Sequence, residues 1–347
     1  SRWLLNIAYM TIGGYPEEVP PQFLLNVRND DSMHIVKPFT DVAANLGLNY
    51  KSMAGGCIVD DFNNDDYPDI VLSSWSLAET MKYYRNNRNG TFTDLSDSSG
   101  LGYLSGGLCM LQTDYNNDGL KDIFVLRGGW KGRFGNIPNS LLRNNGDGTF
   151  TDVTKESGLL SFHPTQTATW ADFNNDGWLD LFIGNETLPG GELNPCELYI
   201  NNKNGTFTDV AAKAGCALTE FVKGVTSGDY NNDGLADIFI STLNGKKILL
   251  KNESVKNGAL KFTDVSAQAG LSNNRARTFP TWFWDYDNDG WLDILVCGYE
   301  FTESLAFYAG AEAIQAPVNN AGKVFLFRNK HDGTFEDVSA KVGLNKI

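Results

Sequence analysis

Asp172-Phe173-Asn174-Asn175-Asp176-Gly177-Trp178-Leu179-Asp180 is the stretch on which the reading turns, because the chain repeats it five times with small changes. The copies open at Asp61, Asp114, Asp172, Asp229 and Asp285, separated by 53, 58, 57 and 56 residues. Between them runs a second phrase, Phe39-Thr40-Asp41-Val42, with copies at Phe92, Phe150, Phe207, Phe262 and Phe335. Five copies of one phrase and six of another, in register, are not chance. A fixed period of this length marks a repeat protein.

Within one period four short strands can be read. Small and apolar residues at 167–171 lead into the acidic stretch, and the apolar run 179–184 leaves it. A third strand fits 197–201, and a fourth, 206–210, follows the pair Asn204-Gly205. Asn89-Gly90, Asp147-Gly148 and Asp332-Gly333 stand at the equivalent place. Such pairs between strand-like runs predict two-residue type I′ hairpins, whose central residues both need positive φ. Four antiparallel strands per repeat, with no helical period between them, predict an all-β fold: a β-propeller of four-stranded blades. Radial repetition leaves few sheet edges exposed.

Complete units fall at 54–97, 107–154, 166–211, 222–266 and 280–339 within a propeller spanning 21–347. Residues 23–27 and 39–42 supply only the last two strands of a partial blade at 21–45, and no acidic stretch follows Val338. About five and a half blades are therefore expected, either as part of a larger ring or with the N-terminal segment completing an irregular blade. Residues 1–20 form an extension outside the repeat, where 3–10 suits a helical turn or two before Pro16. The start at Ser1, without Met, reads as a processed or excised N-terminus. The last period is longer, 73 residues from Phe262 to Phe335, and its excess near 300–322 leaves room for a short helix at 303–315.

Composition narrows the function. With 28 Lys+Arg against 42 Asp+Glu the net charge is −14, so there is no basic surplus for a nucleic-acid partner. No stretch approaches the roughly 18 apolar residues of a membrane span. The five Cys lack the CxxC or Cys/His spacing of a zinc scaffold.

Each acidic stretch offers oxygen side chains at positions 1, 3, 5 and 9 of a nine-residue turn. These are Asp61, Asn63, Asp65 and Asp69; Asp114, Asn116, Asp118 and Asp122; Asp172, Asn174, Asp176 and Asp180; Asp229, Asn231, Asp233 and Asp237; and Asp285, Asp287, Asp289 and Asp293. The position-7 carbonyls of Tyr67, Leu120, Trp178, Leu235 and Trp291 are candidate further ligands. Hard oxygen donors in a flexible loop suit Ca²⁺, whereas Mg²⁺ demands stricter octahedral geometry and zinc prefers Cys or His. The pattern is like the first half of an EF-hand, without its distal Glu and with strands on its flanks. One copy alone reads equally as a good Asx turn; five copies with one spacing favour metal, up to five Ca²⁺ in all. The fifth loop has four carboxylates and should bind most tightly, and the first, with Asp66 in place of Gly and Pro68 before its last ligand, more weakly. Five Ca²⁺ would take the formal charge from −14 to −4.

The units Asp-Phe/Tyr-Asn-Asn-Asp-Gly-x-x-Asp-Ile/Leu and Asn-Gly-Thr-Phe-Thr-Asp-Val resemble the FG-GAP/VCBS repeats of integrin-α-type propellers. Longer stretches, from Gly106 to Asp114 and from Asn139 to Phe150, are similar to the cartilage acidic protein-like (ASPIC/UnbV) group, as is the segment at residues 3–10. The resemblance covers residues 21–347. It implies a propeller of about seven blades, Ca²⁺ in the first turn of each blade, further repeats beyond this chain, and an exported protein: secreted, periplasmic or at the cell surface. The missing blade material is the departure from that pattern.

Two function classes follow. One is a Ca²⁺-binding adhesion or binding module for a protein or glycan ligand, with further repeats or another subunit as additional partners. The other is a carbohydrate-active enzyme of the lyase or dehydratase type, as some propellers of this repeat class resemble. The chain has only three His, none in an acidic loop, and no GxSxG, HExxH, P-loop or Rossmann fingerprint, so no catalytic residue is assigned. The loops opposite the acidic turns carry irregular aromatic and basic residues, and Trp75, Trp130, Arg133, His163, Arg275 and Arg277 are candidates for a ligand face. Cys196 and Cys216 fall at the open end of the hairpin that turns at Asn204-Gly205, which places them within disulfide reach. Two unrelated thiols are the alternative.

Overall fold

The structure, a computed structural model, describes Leu5, Asn6, Tyr9, 17–24, 39–255, 259–299, Phe307, Gly310 and 323–344. The chain divides into two compact units, residues 1–41 with 300–322, and residues 42–299 with 323–347. In the first unit, Leu5, Asn6 and Tyr9 lie on helical backbone, as do Phe307 and Gly310 within the helix expected at 303–315. Asn6 is buried and donates through Nδ2 to the Phe23 carbonyl at 2.8 Å. The strand expected at 23–27 is replaced at its start by a turn, in which the Phe23 and Leu24 amides donate to the Pro20 carbonyl; residues 25–27 lie outside the described residues. Residues 39–42 form no strand either, and Phe39 is 95% exposed.

The second unit is five antiparallel four-stranded sheets, each paired in chain order. The first blade is β1 Cys57–Asp60, β2 Asp69–Leu72, β3 Lys82–Asn86 and β4 Phe92–Asp94; the second is β5 Cys109–Thr113, β6 Asp122–Leu126, β7 Ser140–Asn144 and β8 Phe150–Asp152. The third is β9 Thr165–Ala171, β10 Asp180–Asn185, β11 Glu197–Asn201 and β12 Phe207–Asp209. The fourth is β13 Val222–Gly228, β14 Asp237–Thr242, β15 Lys247–Asn252 and β16 Phe262–Asp264; the fifth is β17 Thr278–Trp284, β18 Asp293–Gly298, β19 Val324–Asn329 and β20 Phe335–Asp337. Three of the blades lie within the units read from the repeat, while β9 and β17 begin one and two residues ahead of theirs. Among the described residues helix is confined to isolated turns such as Ala211–Ala214.

Burial explains the composition of the strands. Every residue of β6, β10 and β14 is buried, because a blade between two others is covered on both faces. Such strands read as continuous apolar runs instead of alternating. In β2, Asp69 and Val71 are buried while Ile70 and Leu72 are half-covered, the alternation of a sheet with one packed face. Four apolar cores hold successive blades together. Val71 and Tyr83 meet Ile123 and Leu142; Phe124 and Leu141 meet Leu181 and Tyr199; Phe182 and Leu198 meet Ile238 and Leu250; Phe239 and Leu249 meet Ile294 and Phe327.

The two recurring phrases meet at these boundaries. The aromatic residue at position 2 of each of the first four acidic loops packs on the first Phe of the second phrase in the next blade. The ring centroids are 6.1 Å apart for Phe62 and Phe150, 5.9 Å for Tyr115 and Phe207, 5.8 Å for Phe173 and Phe262, and 5.7 Å for Tyr230 and Phe335. An Asn at the end of each third strand reaches the same place. Asn144 Nδ2 donates to the Phe62 carbonyl at 2.7 Å, Asn201 to Tyr115 at 2.7 Å, Asn252 to Phe173 at 2.9 Å and Asn329 to Tyr230 at 2.8 Å. Asn86, in the first blade, bonds only within its blade, to the Pro68 carbonyl at 3.1 Å.

The hairpin turns correct the sequence expectation. The Asn87 amide donates to the Thr91 carbonyl at 2.9 Å, so the loop holds three residues, 88–90, not two. Positive φ falls on Arg88 and Gly90, on Gly146 and Gly148, on Lys203 and Gly205, and on His331 and Gly333, flanking the Asn or Asp instead of including it. The reason is local: Asn89 Oδ1 accepts from both the amide and the hydroxyl of Thr91, at 3.1 and 2.7 Å, and that Asx turn keeps the central residue at negative φ.

Candidate metal centres

Each acidic loop joins the end of a first strand to the first residue of the second, so both ends of its nine residues are pinned by a β-ladder, as Asp60↔Asp69 and Thr113↔Asp122 show. Position 1 organises the turn. Asp172 Oδ1 accepts from the Asp176 amide at 2.9 Å and its Oδ2 from the Gly177 amide at 2.7 Å. Asp61, Asp114, Asp229 and Asp285 make the same pair of bonds. Position 5 accepts from the amide of position 7: Trp178 to Asp176, and likewise Tyr67 to Asp65, Leu120 to Asp118, Leu235 to Asp233 and Trp291 to Asp289. Positions 4 and 6 take left-handed backbone. The Asn at position 4 lies at φ 54–56° in all five loops, and position 6 is Gly at 85–86° in four. In the first loop Asp66 takes φ 68°, the tolerance expected of Asp there.

Position 9 is fully buried in every loop, at Asp69, Asp122, Asp180, Asp237 and Asp293. Asp180 accepts from the Phe173 amide at 3.1 Å and the Asn201 amide at 2.9 Å. These bonds do not offset the loss of water. Burial pushes the carboxyls of Asp122, Asp180 and Asp237 up to about 7, and raises Asp69 and Asp293 as well. Position 3 supplies the decisive test of fit. The Oδ1 atoms of Asn63 and Asn174 are buried without a hydrogen-bond partner, although buried acceptors are nearly always paired. In the fifth loop, ligand oxygens of Asp285, Asp287 and Asp289 lie within 4.8 Å of one another. An unpaired buried amide oxygen at position 3 of the first and third loops, and three converging carboxylates in the fifth, each fit a hard cation.

Two features of the loops escaped the sequence reading. The position-4 Asn side chains link neighbouring loops: Asn64 Nδ2 donates to the Gly119 carbonyl, Asn117 to Gly177, Asn175 to Gly234 and Asn232 to Gly290, at 3.2, 3.4, 2.8 and 3.3 Å. The five turns are thereby chained edge to edge. Basic groups from the 3–4 turn or third strand of the same blade also reach position 5. Arg88 pairs with Asp65 at 3.0 Å and Lys203 with Asp176 at 3.2 Å, while Lys251 sits 3.8 Å from Asp233. In the fifth loop Arg328 bridges Asp287 and Asp289, and His331 first, with Arg328, holds Asp289 below the usual carboxylate range. The fourth carboxylate of that loop is thus partly offset by protein charge.

The expected ligand-face residues separate. Trp75 and Trp130 line one cavity, in which the first strands of blades two to five meet the Met53-Ala54 segment ahead of β1. Arg133 lies beside the Phe134 ring, 4.7 Å from its centroid. His163 is hydrogen-bonded through Nδ1 to Asn194 Oδ1 at 2.9 Å. Arg275 lines a small recess with Gly245 and Lys247, and the Arg277 carbonyl accepts from the Tyr299 amide. Cys196 and Cys216 are free thiols buried in one inter-blade core, each pushed up to about 12 by burial.

Residues 61–125, 114–183 and 190–240 match the FG-GAP-like repeat, about half of the chain. The chain belongs to the FG-GAP-like repeat family. Two of these matches begin on acidic loops, at Asp61 and Asp114, and the first four loops lie inside the matched residues. Cartilage acidic protein 1 of Xenopus tropicalis is 26% identical over 247 residues, covering 70% of this chain and 35% of the relative. The human protein of that name is 25% identical over 243 residues, covering 67% and 35%. This FG-GAP-like chain therefore spans about a third of the length of the curated relatives it matches. Among solved structures, the V. cholerae biofilm matrix protein Bap1 aligns with 84% of this chain and 40% of its own, at 14% identity and TM-score 0.44.

Proposed function

We propose that the chain is a calcium-stabilised binding module of an exported protein, with a protein or a glycan as its ligand. The observation that carries the calcium part is the unpaired buried Oδ1 of Asn63 and of Asn174, each at position 3 of its acidic loop. Positions 1, 3, 5 and 9 of each loop would hold the ion, with the position-7 carbonyl as a further donor. A bound ion would supply charge compensation and cross-link the turn. Extracellular Ca²⁺ modules bind at roughly 10⁻⁴–10⁻³ M, which suits an exported setting, and the curated relatives are named for cartilage.

A rigid stack of blades with irregular loops on one face is a scaffold for recognition. The test is a glycan-binding screen run with and without EDTA, with the products analysed for cleavage. Intact bound glycan, lost on chelation, fits a binding module. Shortened or unsaturated products would instead establish a carbohydrate-active enzyme.

A further inference from the structure

Trp130 is the residue the repeat does not explain. It follows Gly128-Gly129 after β6 and lies at φ 65°, a conformation that bulky residues rarely hold unless their surroundings force it. Three blades force it. Its amide donates to Glu186 Oε2, just past β10, at 3.1 Å. Its ring covers the ammonium of Lys223, on β13, with Nζ 3.3 Å from the centroid. That Lys is fully buried, paired with Glu186 Oε1 at 2.5 Å and with Gln166 Oε1, on β9, at 3.3 Å. The fifth blade adds Phe279, on β17, and Tyr299, with ring centroids 5.8 and 5.5 Å from that of Trp130. A second indole is held as firmly: Trp75 Nε1 donates to the Gly129 carbonyl at 2.9 Å, and Lys131 Nζ sits 3.7 Å over its ring.

These groups line a cavity of about 790 Å³, within the roughly 300–1,000 Å³ of ligand pockets. Its walls are mostly aromatic and apolar. Among the described residues Lys223 is the one charged side chain in the lining, and Glu186 neutralises it. A charged ligand would find no counter-charge there. The walls are also open to water: Trp282 is 49% exposed, Met53 50% and Trp130 36%. A wholly apolar ligand gains most from enclosure, whereas a ring with one apolar face and an equatorial fringe of hydroxyls is matched by exposed indole faces beside Gln166, Thr167 and Thr281.

We propose that this cavity binds a neutral pyranose oligosaccharide, stacked on the indoles of Trp130 and Trp282. The inference rests on the reading of the chain as a binding module and specifies where it binds and what. It is tested on the intact, Ca²⁺-loaded chain by calorimetric titration with cellotriose, maltotriose and chitotriose. Trigalacturonate serves as the acidic probe and laurate as the apolar one. At least one neutral trisaccharide is expected to bind, with tryptophan fluorescence changing in step. Trp282→Ala and Trp130→Ala should each weaken binding about tenfold, while Tyr103→Ala, at a residue 76% exposed and outside the cavity, should not. Trp282 is half-exposed, so its variant keeps the test intact should Trp130→Ala fail to fold. Neutral sugar binding that neither Trp variant alters would overturn the assignment to this cavity and leave the binding-module reading standing. Preference for trigalacturonate or laurate, or no neutral trisaccharide binding at all, would overturn the ligand class. The module reading itself falls separately, if chelation leaves both stability and every binding partner unchanged.

Discussion

Asn201→Ala isolates what joins one blade to the next. Asn201 is 2% exposed, and its Nδ2 donates to the Tyr115 carbonyl of the preceding blade at 2.7 Å and to the Leu179 carbonyl at 3.2 Å. Its Oδ1 accepts from the Lys203 amide at 2.9 Å. Truncation leaves two carbonyls and one amide without their partner, and no side chain replaces it. At about 1 kcal/mol for each group the loss is about 3 kcal/mol. With roughly 2–4 °C per kcal/mol for a domain of some 150–250 residues, the melting temperature should fall by about 6–12 °C. Asn86 provides the internal control. It occupies the same position in the first blade and caps Arg88 in the same way, at 2.9 Å, but donates only to Pro68 within its own blade, at an exposed site. Asn86→Ala should therefore cost under about 1 kcal/mol, because water takes over its bonds. Both variants are compared by scanning calorimetry at one fixed Ca²⁺ concentration, since ligand binding shifts the transition by mass action. Equal losses for Asn86→Ala and Asn201→Ala would refute the inter-blade bond as the cause.

Chelation should lower the melting temperature and excess Ca²⁺ restore it, each occupied loop contributing about 2.7 kcal/mol at a hundredfold excess over Kd; an unchanged melt in EDTA would reduce the loops to turns. Lys223→Met should destabilise by about 3–5 kcal/mol, since it leaves Glu186 charged and buried without its partner. Adding Glu186→Gln, which keeps an acceptor for the Trp130 amide, should recover most of that loss in denaturant titrations; no recovery would contradict the pairing. The structure holds Cys196 and Cys216 as free thiols in one core and not as the bridge the hairpin spacing allows. Thiol titration of denatured, unreduced protein should then find five free Cys, and three would instead establish the bridge, worth roughly 3 kcal/mol for a loop of about 20 residues.

What the sequence discloses depends on what repeats. The order of strands and the recurring acidic turn between the first two were legible because each is dictated within one repeat and stated five times. The first and third residues of the hairpin loops were misread for a physical reason. Asn-Gly usually fills a two-residue turn, yet here Asn89 turns its side chain onto Thr91 and shifts the left-handed residues to either side. The phrase at 39–42 shows a second limit. Phe39-Thr40-Asp41-Val42 carries the phrase without forming a strand, whereas the same phrase at Phe92 closes a four-stranded sheet as β4, so the pattern alone does not make a strand.

The contacts between blades were on the page without being readable as contacts. Asn144 lies 82 residues from the Phe62 carbonyl it serves, and nothing local at either end names the other. The signal that could have found it was the third-strand Asn, which stands six residues ahead of the second-phrase Phe in four blades of five. A residue that recurs at a blade's edge without a role inside the blade belongs to the interface. The converse argument locates function. Trp130, Lys223 and Glu186 each occur once, at places where the other blades have nothing equivalent, so the scaffold does not need them. Yet the fold holds a buried ammonium and a left-handed indole there, from three different repeats, at a cost in desolvation and backbone strain. Once the periodic residues are set aside, what remains buried, charged or strained is what the scaffold carries.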